Sequence, residues 1–363
     1  MPEMLFDDFG PCKVIELYSP KEGVRGIVVI DNVALGLAVG GVRVTPTVTT
    51  EEIRRLARTM TLKNSIAGLP HGGAKAGIVA DPADPRKERI FRVFARMIRG
   101  LTEYIPGPDM GCDETSMAWI LDETGRAVGL PEEIGGLPLD RLGATGYGVA
   151  ECAEVAARFA NLELKGARVA VEGFGSVGKA AARFLIDKGA VLVAASDTKG
   201  AVHDPAGIDV SELIEAKRQQ GSVTGFGKGS RLAAADLFDV PCDILVPAAA
   251  PDVINAGNVE KIKARIILQG ANIPATAEAE KRLQQRGVLV VPDFIANAGG
   301  VIMAAMEYAG KNETEAFAAI RERIRKNTAR VLEKAASEGT LPRTAADTLA
   351  RERVRKAMGY RDY

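Results

Sequence analysis

Histidine is scarce in this chain: His71 and His203 are the two among 363 residues, so a histidine-built metal centre is not expected and no metal is assigned. Cysteine is also sparse. Cys12, Cys112, Cys152 and Cys242 lie far apart without C-x-x-C spacing, the pattern of free thiols in a reducing compartment. No apolar run approaches the roughly 18 residues of a membrane span. The start, residues 1–8, is acidic and lacks the basic-then-apolar order of a signal peptide, so a cytoplasmic location is expected. There is no charge excess either: Lys+Arg and Asp+Glu each total 47, which argues against nucleic acid or an acidic membrane as partner and for a small molecule. Internal repeats and low-complexity tracts are absent. What remains, at 47% hydrophobic and 26% charged, is an ordinary globular chain long enough for two domains.

Two cations stand out against that background. Lys63 and Lys75 sit twelve residues apart within a run of small and apolar residues, 62–78. Upstream, Thr49 with Glu52 three residues later reads as a capping box opening a helix. On its wheel Ile53, Leu56, Met60 and Ala67 share one side, Arg54, Arg55 and Arg58 the other, and Lys63 falls beside the apolar stripe. Lys63 therefore points inward or into a cleft, or snorkels along the surface. Lys75 follows a Gly72-Gly73 break and reads as lying in a glycine-lined turn. Gly72, Gly73 and Gly77 there either serve the turn or leave room for a ligand or another backbone.

Strands are expected at 12–18, 24–30 and 35–44. A helix capped by Asp84, with Pro85 at its first position, buries Ile90, Phe94, Met97, Ile98 and Leu101. Residues 105–111 then form a proline-fixed loop that presents Asp109. A boundary or hinge is expected near 135–138. Beyond it, short apolar strands at 167–171, 191–195, 243–246, 265–268 and 288–291 alternate with helices at 145–160, 175–188 and 276–286. That alternation implies a parallel, doubly wound sheet. The chain ends in helices at 301–308, 315–337 and 344–358.

Gly173-Phe174-Gly175-Ser176-Val177-Gly178 is G-x-G-x-x-G between a predicted strand and helix. Gly173 permits the tight turn, Gly175 lets backbone approach a pyrophosphate, and Gly178 allows close packing of helix on strand. Nineteen residues after Gly178, Asp197 ends the next strand, placed with Thr198 to meet the adenosine ribose of NAD. Lys199 beside it leaves NADP open as the cofactor. Ala248, just past the strand at 243–246, belongs to the same nucleotide site.

Taken together, Lys63-Asn64-Ser65, residues 72–78, Pro106 to Gly111, Ala144-Thr145-Gly146-Tyr147-Gly148, the nucleotide turn, Gly270-Ala271-Asn272 and Asn297-Ala298-Gly299-Gly300-Val301 resemble the glutamate/leucine/phenylalanine/valine dehydrogenase superfamily over nearly the whole chain. The resemblance implies an α/β fold. An N-terminal mixed-sheet substrate and oligomerisation domain (1–140) precedes a doubly wound, Rossmann-like NAD(P) domain (141–339), with the active-site cleft between them. A C-terminal helix, 340–363, packs back on the first domain. It also implies reversible oxidative deamination of an L-amino acid to the 2-oxo acid and ammonia, in a homo-oligomer of six or eight subunits. By the same resemblance Lys63 holds the substrate carboxylate, Lys75 activates water and Asp109 shuttles protons. Asn297 positions the amino group, and Thr145 and Asn272 sit near the nicotinamide.

Glutamate-specific members carry a lysine before the early Gly-Gly and a serine three residues after the Val of the Asn-Ala-Gly-Gly-Val motif. Here Val39 and Ala304 stand at those places, with Val301 as that Val, so the resemblance points to an apolar substrate such as leucine, valine, isoleucine or phenylalanine. A glutamate carboxylate beside Val39 would lack its usual partner. Arg43 does not supply one, since arginine occurs there on both sides of the family. The alternatives are a glutamate dehydrogenase, which residues 117–120 and 196–200 resemble more, and a catalytically silent nucleotide-binding scaffold subunit.

Overall fold

The computed structural model describes residues 6–361. Residues 1–5, part of the acidic start, lie outside the described residues, as do 362–363. The chain divides into two units: one of 1–139, 301–316 and 347–363, the other of 140–300 and 317–346.

The first unit is built on a mixed five-stranded sheet in the order β1-β2-β4-β3-β5: β1 (Lys13–Ser19), β2 (Val24–Asn32), β3 (Ala38–Val44), β4 (Gly72–Ile78) and β5 (Tyr104–Pro108). β2 runs antiparallel to β1 and β4, while β3 runs parallel to β4 and β5. Helix α1 (Thr50–Ile66) packs on β4, and α2 (Lys87–Ile98) and α3 (Glu114–Thr124) pack together, with Phe91, Phe94, Ile98, Tyr104, Met117 and Ile120 in the core.

Several expectations are corrected here. Residues 72–78 are a fully buried strand near the centre of the sheet, not a turn. Their glycines serve close approach of backbone: a Cβ on Gly73 would lie 2.1 Å from the Thr61 nitrogen of α1, and one on Gly72 would lie 1.9 Å from the Asn32 oxygen. The sheet-facing row of α1 is Ile53, Ala57, Thr61 and Asn64, while Leu56 and Met60 are half-buried; apolarity alone misplaces that face because Thr61 donates to Asp31 and the Asn64 amide to the Gly72 carbonyl. Thr49 caps α1 by accepting from the Glu52 N–H. Of the expected capping box, the Glu52 carboxylate instead pairs with Arg43. Asp84 caps a turn, accepting from the Arg86 N–H, and α2 begins only at Lys87. Residues 104–108 form a strand despite two prolines, because β5 is an edge strand and a missing donor there costs no ladder bond.

After the short α4 (Leu139–Leu142), the second unit contains α5 (Ala144–Phe159), β6 (Arg168–Glu172), α6 (Ser176–Asp187), β7 (Val191–Asp197), β8 (Gly200–His203), α7 (Val210–Gln220), β9 (Ser230–Leu232), β10 (Ile244–Pro247), β11 (Ile266–Leu268), α8 (Ala277–Gln285), β12 (Leu289–Val291) and α9 (Asp293–Ala296). The chain continues through α10 (Gly299–Tyr308), α11 (Glu313–Glu338) and α12 (Pro342–Met358), with the division between units falling inside each of the three.

The seven-stranded sheet has the order β12-β11-β10-β6-β7-β8-β9. Five strands are parallel, but β8 and β9 add antiparallel to the β7 edge, which the purely parallel expectation omits. Both are four residues or shorter, too brief for alternation to reveal. From β6 the chain moves one way to β7 and later returns to β10 on the other side. β6 and β10 therefore flank the topological switch point, where such sheets open a crevice beyond their carboxyl ends.

Candidate active site

In the first unit, alternation along β3 puts Val39, Gly41 and Arg43 on one face. Lys75, on neighbouring β4, is only 6% exposed, and its Nζ lies 3.0 Å from Asp109 Oδ2. Arg43 Nε donates to the same oxygen at 2.9 Å and its Nη1 to Glu52 at 2.6 Å. Burial pushes the Asp109 carboxyl up, but Lys75 and Arg43 outweigh it and hold Asp109 below the ordinary carboxylate range. Gly41 makes the pair possible: a Cβ there would sit 2.8 Å from Asp109 Cβ and 3.2 Å from Lys75 Nζ. Cys112 packs beneath, donating to the Val42 carbonyl, its thiol pushed up to about 12 by burial and so kept neutral. Lys63 is half-buried in the last turn of α1, next to Asn64, whose amide donates to the Gly72 carbonyl where β4 begins.

Val39 and Ala304, 265 residues apart, meet in one apolar cluster with Ile105 and Val128, against which Leu139 packs. Val301 is half-buried one turn before Ala304 on α10. Sequence reasoning missed what fixes this wall. Glu307, one turn further along α10, accepts from the Gly129 and Leu130 N–H groups at 2.6 and 3.0 Å and so holds the segment after Val128. Arg43, expected only in relation to a glutamate side chain, instead pairs with Asp109. The alternation of Val39, Gly41 and Arg43 was the available signal.

In the second unit the glycine turn joins β6 to α6. Gly173 has φ 84, and a Cβ on it would lie 2.6 Å from the Ala249 nitrogen. Phe174 is buried, its N–H donating to the Ser196 carbonyl at 2.7 Å. Gly175 and Ser176 are exposed, no side chain caps α6, and a Cβ on Gly175 would meet open space. An exposed, uncapped helix N-terminus beside glycine is the setting a pyrophosphate requires, so these residues fit a dinucleotide. Gly178 packs as expected, its missing Cβ 2.1 Å from the Gly173 carbonyl oxygen.

Around this turn the structure gathers Ala248, whose Cβ lies 3.3 Å from the Cβ position of Gly270, and Val177 at the same distance. The Asn297 amide donates to Asn272 Oδ1 at 3.0 Å and to the Gly270 carbonyl at 3.3 Å, and its own oxygen is buried without a partner. Thr145, half-buried in the first turn of α5, has Oγ1 3.0 Å from the Cβ position of Gly300.

Asp197 ends β7 with Thr198 exposed beside it. Its carboxylate accepts from the Lys199 and Val223 N–H groups and Ser222 Oγ at 3.0, 2.8 and 2.9 Å, and lies 3.2 Å from Lys217 Nζ. The roughly four acceptor positions of a carboxylate are thus already engaged by protein donors, which sequence reading could not foresee.

Glu172, immediately before Gly173, is buried, and its carboxylate accepts a long 3.3 Å bond from the Ala249 N–H. Burial raises its pKa, and the backbone bonds offset this in part. A raised carboxyl pKa favours the folded state below that pKa and costs stability above it. Glu172→Gln, an uncharged isostere that still accepts from Ala249, is therefore expected to stabilise the protein at pH 7 by about 1 kcal/mol. Thermal melts at pH 7 and pH 4 check this: the gain disappears at pH 4, and equal melting temperatures at pH 7 would contradict it.

A Rossmann-type unit in one chain with a mixed-sheet unit, where the buried Lys75 pairs with the half-buried Asp109 and Arg43, is the organisation of a nucleotide-dependent dehydrogenase. Residues 135–362 match the Glutamate/Leucine/Phenylalanine/Valine dehydrogenase family and residues 11–126 its N-terminal dimerisation domain, and the chain belongs to this family of amino acid dehydrogenases. It is 41% identical over 357 residues to a glutamate dehydrogenase of Aeropyrum pernix, covering 92% of this chain and 85% of that one. It is 36% identical over 353 residues to an NAD-specific glutamate dehydrogenase of Staphylococcus aureus, with the same coverages. Among solved structures, the hetero-hexameric glutamate dehydrogenase of Thermus thermophilus in its Leu-bound form is similar with a TM-score of 0.88 at 31% identity, over 97% of this chain and 90% of that one. The L-tryptophan dehydrogenase of Nostoc punctiforme is similar with a TM-score of 0.75 at 27% identity, over 97% and 98%. Among the described residues no group of His, Cys, Asp and Glu has metal-binding geometry, and no helix is long and apolar enough to cross a membrane.

Proposed function

We propose that this chain catalyses reversible oxidative deamination of an L-amino acid with NAD or NADP, and that glutamate is the substrate. The observation that carries the reaction is the contact of the buried Lys75 with the half-buried Asp109. Held at the turn of Gly173 to Gly178, NAD(P)⁺ would supply the acceptor for the hydride lost from the substrate Cα. Lys75, having first given up its own proton to solvent, takes one from the water that attacks the resulting imino carbon. Asp109, kept ionised by Lys75 and Arg43, takes a proton from the substrate ammonium before the hydride leaves and returns it to the departing amine, so that ammonia and the 2-oxo acid leave. Lys63 anchors the α-carboxylate and Asn297 the amino group. Gly173 to Gly178, Thr145, Thr198, Ala248 and Asn272 receive the dinucleotide, with Asp197 holding the turn that carries Thr198 through the Lys199 N–H.

The relatives named glutamate dehydrogenase support the choice of glutamate, whereas the notable feature of the pocket supports a second reading. The cluster of Val39, Ile105, Val128 and Ala304 suits an apolar side chain, and the similarity to a tryptophan dehydrogenase agrees with it. NADH and NADPH production from glutamate, leucine, valine, isoleucine, phenylalanine and tryptophan tests both. Turnover of glutamate alone supports the first reading, turnover of apolar acids alone the second, and no turnover of any would leave the scaffold reading standing. For the assembly, the hexameric relative supports six subunits, and nothing here supports eight.

Under either reading, Val39→Lys with Ala304→Ser is expected to shift kcat/KM toward glutamate over leucine by at least about 10-fold, because a buried carboxylate without a partner costs several kcal/mol. Steady-state kinetics with both substrates check this. An unchanged ratio would show that the cluster does not touch the side chain.

A further inference from the structure

Behind the loop of residues 270–273 lies a buried polar cluster that the chemistry above leaves unused. Gln269 is fully buried, and Glu280 and Asp293 are 2% exposed. Arg343, at the start of α12, donates through Nε to both Glu280 oxygens at 2.9 and 2.8 Å and through Nη2 to Gln269 Oε1 at 2.7 Å, and it stands 2.9 Å from Asp293 Oδ1. Gln269 in turn donates to Glu280 and accepts from the Asp293 N–H. One guanidinium thus serves two buried acids, and a single oxygen, Asp293 Oδ2, is left to reach forward. It accepts from the Ile273 N–H at 3.0 Å.

Ile273 is an unusual recipient. It is 47% exposed, β-branched, and held at φ 48, a left-handed conformation that such residues rarely adopt. Its carbonyl accepts from the N–H of Asp252, which is itself at φ 55, so two left-handed residues brace each other at the carboxyl ends of β10 and β11. At the other end of the loop the Gly270 and Ala271 N–H groups both donate to the Pro247 carbonyl, and Asn297 orients Asn272. A cluster serving stability alone has no need to hold an exposed isoleucine in a costly conformation. Strain of this kind persists where surrounding structure imposes it, and it collects at ligand sites.

We propose that Asp293, backed by Arg343, is a positioning residue that holds Asn272 and Ile273 in the conformation that receives the dinucleotide. It touches neither substrate nor cofactor and acts through the Ile273 N–H. This rests on the dinucleotide reading above.

The test titrates the whole protein with NADH and NADPH, followed by nucleotide fluorescence, alongside deuterium exchange of the peptide covering 270–276. Asp293→Ala is expected to weaken binding of the preferred nucleotide about 10-fold and to speed exchange of that peptide, while the amino acid KM at saturating nucleotide changes less than about 2-fold. Asp293→Asn, which keeps an oxygen for the Ile273 N–H, should restore affinity to within about 3-fold of wild type. Asp293→Ala binding and exchanging like wild type would overturn the inference, as would Asp293→Asn proving as weak as Asp293→Ala. Wild-type protein without nucleotide supplies a readout that needs no variant: the 270–276 peptide must already be protected, and exchange at the rate of an open loop overturns the inference. Wild-type protein that binds neither nucleotide removes the dinucleotide reading and the inference with it.

Discussion

Lys75→Ala is expected to lower kcat by about 10³-fold, within the 10²- to 10⁴-fold range for removal of a general acid or base. The nucleotide turn belongs to the second unit and lacks any contribution from Lys75, so NAD(P)H binding should stay within about 2-fold of wild type. Stopped-flow or steady-state rates beside a nucleotide titration separate the two effects. Full turnover in the variant would remove Lys75 from the mechanism. Stability should respond in a pH-dependent way. Asp109 has a folded pKa below its ordinary value, so its pairing stabilises the protein above the unfolded carboxylate pKa of about 3.9 and ceases to do so as pH falls through the folded value. Removing the Lys75 ammonium leaves Arg43 as the remaining cation on Asp109. The melting-temperature gap between wild type and variant is therefore largest at neutral pH and closes on acidification.

Gly40→Ala should have the largest effect on stability of any conservative change in the first unit's sheet. A Cβ on Gly40 would lie 1.7 Å from the Ala74 oxygen and 2.4 Å from the Ala74 carbon, so β3 and β4 would have to part. Their separation would also disturb the Lys75–Asp109 contact and the buried bond from Tyr104 to the Gly40 carbonyl. No flexible side chain is available to yield, since the obstacle is backbone. A loss of about 4 kcal/mol or more is expected, the tail of the distribution for single substitutions. In units of this size that lowers Tm by about 10 °C. Gly100→Ala is the control, because nothing lies within 4 Å of its Cβ position. Circular dichroism melts of both variants decide the matter, and matched melting temperatures would show that β3 can shift to admit a methyl group.

The nucleotide unit was legible in the sequence because its signals are local. A strand, a glycine turn and a helix within residues 168–187 carry their own pattern, and Asp197 follows at a set spacing. Long amphipathic helices such as α5, α8 and α11 were recognisable for the same reason, each within a residue or two of its bounds. Glycine did not hide β3, expected at 35–44, but at two other places glycine or proline concealed a strand. The glycines of 72–78 looked like a turn and 105–111 like a loop, yet tertiary packing made strands of 72–78 and 104–108, one buried against α1 and the other placed at an edge where proline is harmless.

By itself, then, the sequence determined the family resemblance, the order of most elements and the residue types available for the chemistry. Only the tertiary structure decided which of them meet. Lys75, Asp109 and Arg43 come together because β3, β4 and β5 pair in parallel at one register, and a shift of one residue would turn each side chain to the opposite face. Val39 reaches Ala304 across 265 residues through packing that no local pattern records. Asp293 reaches Ile273 because α9 begins beside the end of β11, and the left-handed backbone that receives it is set by contacts with Asp252 and Pro247, not by any preference of isoleucine.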